Sequence, residues 1–487
     1  MLRFFIEKEL KQLISTQRFI WLFLITTILM TLATYIGIQE YQKAAAQFDI
    51  TTQLSDQNLQ EERKYESLHT IIHRKPDPLQ ALISGIHYDV GRRTVVSKSS
   101  STELNRSPYS DEPLFAVFRI LDLSTIVQLV LTLFALLLSY NAVSGEYERG
   151  TLKLMLANGI PRIRIIISKW IGISSGLAMA LIIPFLISAV LIRIYQLPLE
   201  QEDWIKLLIF VASSFLLLFI FVGIGLTVSS FSKSSSHSFV ALLLIWMVVS
   251  LIIPRLGVMT AGSVIQASGQ AEIDAKVAAY KNTQWDEYQE DLGKKWEERN
   301  TAMEGMNPEE RKAYRQEHEW EWMEENEEMR NELQRNIEMY RRRIQQEANN
   351  SKKRRKQIGF TLARVSPVAA YQLLVMDLSR TDIGLKRRYQ EQLNRYQTEL
   401  VNYVEEMSKK HNQTGGFRIS ITNEGVSIKD GRQSSTLDIS GMPGFTHPTR
   451  SLVEIVQATL FSFSTMLVML AGVVIVSFVG IVRYDVS

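Results

Sequence analysis

The sequence predicts an all-α polytopic membrane protein with six transmembrane helices and a mainly helical extracytoplasmic domain that carries a small β-element. Apolar and charged residues are segregated along the 487-residue chain, and residues 285–356 are rich in charge. An uncharged apolar run of about 18 residues or more can cross the hydrocarbon core of a bilayer as a helix. The uncharged stretches are residues 19–38, 123–140, 171–192, 207–231, 238–253 and 455–482. With two flanking residues, the second span is placed at 121–140.

Two of these stretches need separate justification. The fifth has only 16 residues, so we expect its helix to include polar neighbours at the cytoplasmic end. The first resembles a signal peptide, with Ala44, Ala45 and Ala46 as a cleavage site. Its apolar run is longer than the usual 7–15-residue signal core, so we predict that it stays as TM1.

The distribution of basic residues predicts the orientation, because cytoplasmic loops are enriched in lysine and arginine. One side of the predicted spans carries Arg3, Lys8, Lys11, Arg18, Arg149, Lys153, Arg162, Arg164, Lys169, Lys233 and Arg483. The short loop LPLEQED on the other side is acidic. We therefore expect a multi-pass protein of the bacterial cytoplasmic (inner) membrane with both termini in the cytoplasm. Residues 39–120 and 256–452 are predicted to be extracytoplasmic.

The first extracytoplasmic segment, residues 39–120, begins with a polar run that we expect to continue the first helix outward. Pro76 and Pro78 are predicted to end that helix, before a compact loop region with Gly85 and Gly91. The stretch SKSSSTELNRSPYSDEP is rich in turn-forming residues.

The second segment, residues 256–452, is predicted to contain long antiparallel helices. Residues 271–350 favour helix, with a break at Asn307 and Pro308, where Asn307 would act as the cap. Residues 382–411 predict another helix, whose apolar stripe repeats every three or four residues: Tyr389, Leu393, Tyr396, Leu400 and Tyr403. After it, FRISIT, VSIKDG and STLDIS alternate with period two, which predicts strands. The charged helices are either a solvated face or a docking surface.

Composition and motifs argue against several functions. The net charge of +3 gives no sign of nucleic-acid binding, and the absence of cysteine excludes disulfides and thiolate sites. No P-loop, GxSxG or HExxH motif is present, so no catalytic residue is assigned and the chain is not expected to be an enzyme. Glu66, His69 and His73 would share a face if they were helical; we favour a solvated face over a metal site, and no metal is expected.

The predicted cytoplasmic loop at residues 141–170 carries the most informative motif, SGEYERGTL. Gly145 and Gly150 would allow a sharp reversal, and Glu146 and Glu148 would lie near water within reach of a basic partner. Arg162, Arg164 and Lys169 would meet lipid headgroups or that partner. The N-terminal run FIEKELKQLI, within residues 1–18, is amphipathic like an interfacial helix.

The motif resembles the Gly-Glu-x-Glu-x-Gly-Thr-Leu pattern in permease subunits of ABC-2 type transporters. Four further segments resemble the subgroup that has a large extracytoplasmic insertion between the fifth and sixth spans. They are KPDPLQALISGI, EPLFAVFRILDL, RVSPVAAYQLLVMDLSRTD and VRYDV.

The resemblance implies a permease that couples ATP hydrolysis by a separate ATPase subunit to export of a substrate. Residues 1–18 would be the family's elbow helix, and the complex would contain two ATPase copies and a second permease chain, identical or paralogous. ATP and Mg would bind the ATPase, with no cofactor on this chain. The implied coupling residues are Gly145, Glu146, Glu148, Arg149, Gly150, Thr151, Leu152 and Arg162.

Uncharged polar residues in the spans are candidates for a translocation path, or for ordinary hydrogen bonding between helices. They are Thr27, Thr31, Thr34, Ser124, Gln128, Thr132 and Ser250. The alternative function is a mechanotransmitter, in which the permease moves no substrate and relays ATPase motion to a periplasmic or envelope partner. The long outer segment favours that alternative.

Overall fold

A computed structural model of the chain describes residues 2–62, 65–87, 90–98, 122–266, 268–410, 418–422, 425–429, 437 and 439–482. Within these residues, six helices are long and apolar enough to cross a membrane. They are TM1 (Gln17–Glu61), TM2 (Leu123–Glu148), TM3 (Arg162–Ile194), TM4 (Gln201–Phe231), TM5 (Ser235–Val264) and TM6 (Leu452–Val482). The predicted all-α polytopic fold is confirmed. The turn-rich stretch at 97–113 and the segments EPLFAVFRILDL and VRYDV lie mostly outside the described residues.

TM2 and TM5 each change helix type within the apolar region. TM2 contains the π-helical segment Ile126–Leu131, and TM5 contains Val248–Ile252. Single π-helical turns inside α-helices are rare and occur frequently at functional sites. TM5 begins at Ser235 and so includes three polar residues before the predicted stretch, at the end where such neighbours were expected.

Two compact units divide the chain. The first comprises Met1–Ile252 and Arg364–Ser487, and the second comprises Ile253–Ala363. Within the first unit TM4 is the most enclosed span. In its most apolar stretch of 18 residues 61% is buried, against 17% in that of TM6. TM4 packs against TM2, TM3 and TM6. The Trp170 indole on TM3 donates to the Phe219 carbonyl of TM4 at 3.1 Å, which adds a polar tie to the apolar contacts.

The helix that contains TM1 ends at Glu61, earlier than predicted. Residues after it form a two-stranded antiparallel sheet, in which β1 (Thr70–His73) pairs with β2 (Arg93–Val96). The β-branched run TIIH favours a strand over a continued helix. Glu66 therefore lies in a 3₁₀ turn, His69 in coil and His73 in a strand, so the shared helical face supposed for these three residues is wrong.

Among its described residues, the remainder of the first unit contains four further α-helices and a second sheet. The helices are α1 (Leu2–Ile14), α2 (Thr151–Ala157), α5 (Pro367–Leu378) and α6 (Leu385–Lys410). Tyr389, Leu393, Tyr396 and Leu400 on α6 are buried, which confirms the predicted stripe. Strands β3 (Arg418–Thr422) and β4 (Gly425–Lys429) pair antiparallel, as predicted. The described part of the third predicted strand, Leu437 and Ile439, is not in a strand.

The second unit is dominated by α3 (Gln270–Ala302) and α4 (Pro308–Ala363), which run antiparallel as predicted. Asn307 caps α4: its Oδ1 accepts the Glu310 amide at 2.9 Å, and Glu310 accepts the Asn307 amide at 3.0 Å. This reciprocal pair is a capping box. Along the hairpin, the rings of Tyr280 and Tyr340 stack with centroids 4.0 Å apart.

Candidate functional site

The connection between TM2 and TM3 is a compact, folded element. TM2 ends in the helical turn Ser144–Glu148, and α2 follows after Gly150. Gly150 has φ of 73°, a left-handed conformation that an L side chain adopts only with strain. Gly145, in contrast, lies within the helical turn, so the predicted reversal is made by Gly150 alone. The Thr151 hydroxyl donates to the Glu146 carbonyl at 3.1 Å and holds α2 against that turn.

A buried ion cluster lies beneath this connection. Lys169 Nζ on TM3 is 2.7 Å from Glu146 Oε1 and 2.9 Å from Oε1 of Glu9 on α1. The side chains of Lys169 and Glu146 are only 4% and 9% exposed. The predictions that Glu146 lies near water and that Lys169 meets headgroups are therefore wrong. Three elements that are distant in sequence are joined here by one cation.

This cluster, hereafter the Lys169 cluster, is not electrically balanced. Two carboxylates share one ammonium group, and Glu146 Oε2 is buried without a hydrogen-bond partner among the described residues. A buried unpaired acceptor costs free energy, so the geometry of the cluster is maintained by the packing around it. A shift in the position of α1 or TM3 would change how the cation is shared.

Glu148, the second carboxylate of the motif, is exposed as predicted, and it caps the N-terminus of TM5. Its Oε1 accepts the Ser235 amide and its Oε2 accepts the Ser235 hydroxyl, each at 2.7 Å. A carboxylate at a helix N-terminus is favoured because the first amide groups of the helix have no intrahelical acceptors. Ser238 also donates to the Tyr140 carbonyl at 2.8 Å, so TM2 and the start of TM5 are joined at two points.

The outward side of α2 is left exposed by the part of the chain that the structure describes. Leu152 points inward and is buried, whereas Leu154 is 65% exposed and Lys153 beside it is exposed. Arg149 is exposed and its Nε donates to the Gly145 carbonyl at 2.9 Å; Arg162 at the start of TM3 is half-buried. An isolated exposed leucine is common. Leu154, however, lies on a short helix that Thr151 joins to Glu146, the buried partner of Lys169.

Most of the candidate path residues are engaged within the bundle. Thr34 bonds Ser188 on TM3 at 2.7 Å, and Thr132 accepts from the Trp246 indole of TM5 at 3.1 Å. Thr27 donates to a carbonyl of its own helix, and Ser124 donates to Asp122. These contacts favour ordinary hydrogen bonding within and between helices over a translocation path for these residues.

Two path candidates differ from the rest because they lie in the π-helical segments. Gln128 is buried in that of TM2, and Ser250 is buried in that of TM5. Ser250 Oγ has no hydrogen-bond partner among the described residues. Thr31, the remaining candidate, is half-buried on TM1.

A second ion network, which the sequence did not suggest, joins the segments KPDPLQALISGI and RVSPVAAYQLLVMDLSRTD. Arg388 donates to both oxygens of Asp382 through its two terminal guanidinium nitrogens, at 3.0 and 2.6 Å. Arg450, two residues before TM6, lies 3.1 Å from Asp377 and 3.2 Å from Asp382. Arg380 reaches Asp77 at 3.3 Å. Charged residues are clustered at the end of RVSPVAAYQLLVMDLSRTD, but nothing in the sequence indicated which of them would pair.

The two aspartates of this network differ in pKa. Burial raises the pKa of Asp377, and the neighbouring Asp382 raises it further, against the effect of Arg450. Burial also acts to raise the pKa of Asp382, but the hydrogen bonds and charge of Arg388 outweigh it and lower the pKa. Asp382 is thus the anion on which the two arginines converge.

The approach of these segments is close enough to require glycine. Gly85 has φ of 52°, and a Cβ there would lie 2.0 Å from Thr381 Oγ1. The Ile86 amide donates to the Thr381 carbonyl at 3.1 Å, and the Ser84 amide donates to Asp122 at 2.8 Å. The start of TM2 is therefore fastened to the same junction.

Comparison with known proteins supports the sequence resemblance over nearly the whole length of the chain. The family described as ABC-2 family transporter protein matches residues 4–486. No curated protein matches the chain. The match includes all six spans, the Lys169 cluster and α2. The chain is an integral membrane protein and belongs to the ABC-2 family of transporter proteins.

Proposed function

We propose that the chain is the permease subunit of an ABC-2 type transporter of the bacterial inner membrane, with α2 as the docking element for a separate ATPase subunit. The observation that carries this proposal is the exposed face of α2, with Leu154 65% exposed, on a connection that is held from below by buried ion pairs. Family membership supports a membrane permease component. Export is the direction of transport that we propose.

The site suits docking because its recognition surface is small and its support is rigid. Leu154 supplies an apolar anchor and Lys153 a positive charge, and both are exposed. An anchor that enters a pocket of the partner, with charge at its rim, is the usual arrangement of an interface hot spot. An apolar pocket flanked by carboxylates on the ATPase would be complementary to it.

Movement of α2 would be passed to several spans at once. Thr151 is bonded to Glu146, Glu146 to Lys169 of TM3, and Glu148 to the N-terminus of TM5. A displacement of the docking element therefore acts on TM2, TM3 and TM5 through hydrogen bonds and ion pairs. We place the pivot at Gly150, which joins the helical turn at the end of TM2 to α2 and whose φ of 73° glycine adopts without strain.

The complex that we propose contains two ATPase copies and a second permease chain, identical or paralogous. The small buried fraction of TM6, 17% of its most apolar window, leaves a face for that second chain or for lipid. ATP and Mg would bind between the ATPase chains, and this chain would bind no cofactor. The buried polar groups of Gln128 and Ser250, in the π-helical segments, are the strongest candidates for a path.

The test is co-purification of the cognate ATPase, followed by its hydrolysis rate in lipid vesicles. Leu154→Asp should lose the ATPase, because a carboxylate replaces the apolar anchor. Met323→Asp is the matched control, since Met323 is 57% exposed on α4, far along the chain. Equal ATPase recovery with Leu154→Asp and wild type would overturn docking at α2. The permease alone should hydrolyse no ATP.

Transport and mechanotransmission are separated by a second measurement. ATP hydrolysis in vesicles is compared between the full chain and a variant that lacks the tip of the α3–α4 hairpin. If the chain is an exporter, stimulation by substrate persists without the tip. If it relays motion to an envelope partner, stimulation requires the hairpin and that partner.

A further inference from the structure

TM3 and TM4 enclose an apolar groove that the proposed function does not use. The groove has a volume of about 740 Å³ and is lined by Ala178, Phe185 and Ala189 of TM3 and by Val211 and Phe215 of TM4. Its lining is almost wholly apolar; among the described residues that line it, the polar groups are the Ser188 hydroxyl and the Trp204 indole N–H. Ser188 already bonds Thr34, so its hydroxyl is not directed at a ligand.

The groove has the length of a lipid tail. Along TM3 it extends from Ala178 to Ile192, and fourteen residues at 1.5 Å rise give about 21 Å. Half of a hydrocarbon core of about 30 Å is about 15 Å, so the groove is deep enough for one acyl chain of one leaflet. Its volume is within the range of cavities that hold small ligands, about 300–1,000 Å³.

A polar cavity of about 380 Å³ adjoins the groove at the end of TM3. Ile192 and Trp204 line both spaces, while Arg193 and Gln196 line the polar one. Arg193 is exposed and has no ion-pair partner among the described residues. Gln196 adopts φ of 51°, outside the helix that ends at Ile194. An arginine and an amide are donors suited to a phosphate group, and a tryptophan is typical of the membrane–water boundary.

From these two adjoining spaces, we infer that TM3 and TM4 form a specific binding site for one membrane glycerophospholipid. One acyl chain occupies the apolar groove, and the phosphate binds Arg193 and Gln196. The junction of the two spaces favours this occupant, because an apolar channel of leaflet depth opens at Trp204 onto a polar space that holds the Arg193 guanidinium. A lipid that only surrounds the protein would not require the guanidinium of Arg193 for binding.

The experiment uses the full chain in detergent and phosphatidylglycerol with a photoreactive group on one acyl chain. After illumination and digestion, mass spectrometry locates the labelled residues. We expect labelling concentrated in residues 178–215. Ala189→Trp, which fills the groove, should lower this labelling at least about fivefold, as should Arg193→Gln, which removes the charge-assisted hydrogen bonds. Arg193→Lys should retain most of it.

Two matched controls make the result specific. Val190→Trp introduces the same indole one residue away, at a position that is 57% exposed and outside the groove lining. Arg255→Gln removes an exposed arginine of TM5. Both should label as wild type does. Labelling that follows exposure on all helices, unchanged by Ala189→Trp, would overturn the site in favour of surrounding lipid. Loss with Ala189→Trp but not with Arg193→Gln would overturn the phosphate contact.

Discussion

Lys169 Nζ lies 2.7 Å from Glu146 Oε1, and this buried ion pair joins the start of TM3 to the end of TM2 across 23 residues of sequence. This pair gives the two glutamates of the motif GEYE different roles. In the sequence, Glu146 and Glu148 are equivalent loop carboxylates available to a partner. In the structure, Glu146 supports the loop from within, and only Glu148 is exposed.

The first prediction concerns the stability of the Lys169 cluster. Lys169→Met should lower the free energy of unfolding by about 3–5 kcal/mol, because the buried carboxylate of Glu146 and the half-buried carboxylate of Glu9 lose their counter-ion. The measurement is thermal melting in detergent with recovery of monodisperse protein. Adding Glu146→Gln and Glu9→Gln to Lys169→Met should restore much of the loss. Lys153→Met, at an exposed lysine, is the control and should melt as wild type does.

Replacement of the two glutamates of the motif should have different effects on melting and on coupling. Glu146→Ala should reduce the melting temperature, since it removes a partner of buried Lys169. Glu148→Ala should leave melting nearly unchanged but loosen the N-terminus of TM5, and we expect uncoupled ATP hydrolysis with the partner bound. If both variants melted at the wild-type temperature and coupled ATP hydrolysis as wild type does, neither contact would matter.

Two glycines should respond differently to a single methyl group. Gly150→Ala should cost about 1 kcal/mol, because the left-handed φ is strained but the described residues leave space for the methyl group. Gly85→Ala should cost more, because the added Cβ would meet Thr381 Oγ1 at 2.0 Å in addition to the strain. Melting temperatures of the two variants test the order. Gly150→Ala as the more damaging change would contradict it.

Stability should fall at mildly acidic pH because of His87. Burial first, and then the positive charge of Arg74 and Arg92, lower the pKa of His87 from 6.5 to about 3. Between these pH values the unfolded chain binds a proton that the folded chain does not, so stability decreases as pH falls below about 6.5. His87→Gln should flatten this dependence between pH 6.5 and 4.5. The melting temperature against pH is the measurement, and an unchanged slope would refute the assignment.

The orientation of the chain can be tested by cysteine labelling, since the chain contains no cysteine. Ser144 is fully buried, so its protection from a reagent would say nothing about topology. Lys153→Cys and Lys281→Cys are both exposed. In intact cells Lys281→Cys should react with an impermeant maleimide, and Lys153→Cys only after permeabilisation. The reverse pattern would invert the predicted orientation.

Features with a local cause were predictable from the sequence. The six spans follow from uncharged apolar runs, the α6 stripe from apolar residues every three or four positions, and the start of α4 from Asn307 and Pro308. In each case the determining interaction lies within one element or at its end. The early end of TM1 was missed because the polar run after it allowed a helix, whereas pairing of β1 with β2 decided for a strand.

The sequence by itself determined a six-span ABC-2 family protein and the place of its motif between TM2 and TM3. Only the tertiary structure decided that Glu146 is buried, that Arg388 and Arg450 converge on Asp382, and that TM3 and TM4 leave a groove beside Arg193. The physical reason is the distance in sequence of the partners. Glu9 is 160 residues from Lys169, and Arg450 is 68 from Asp382. Neither period nor composition specifies which charges meet; packing of the spans brings them together and removes the water between them.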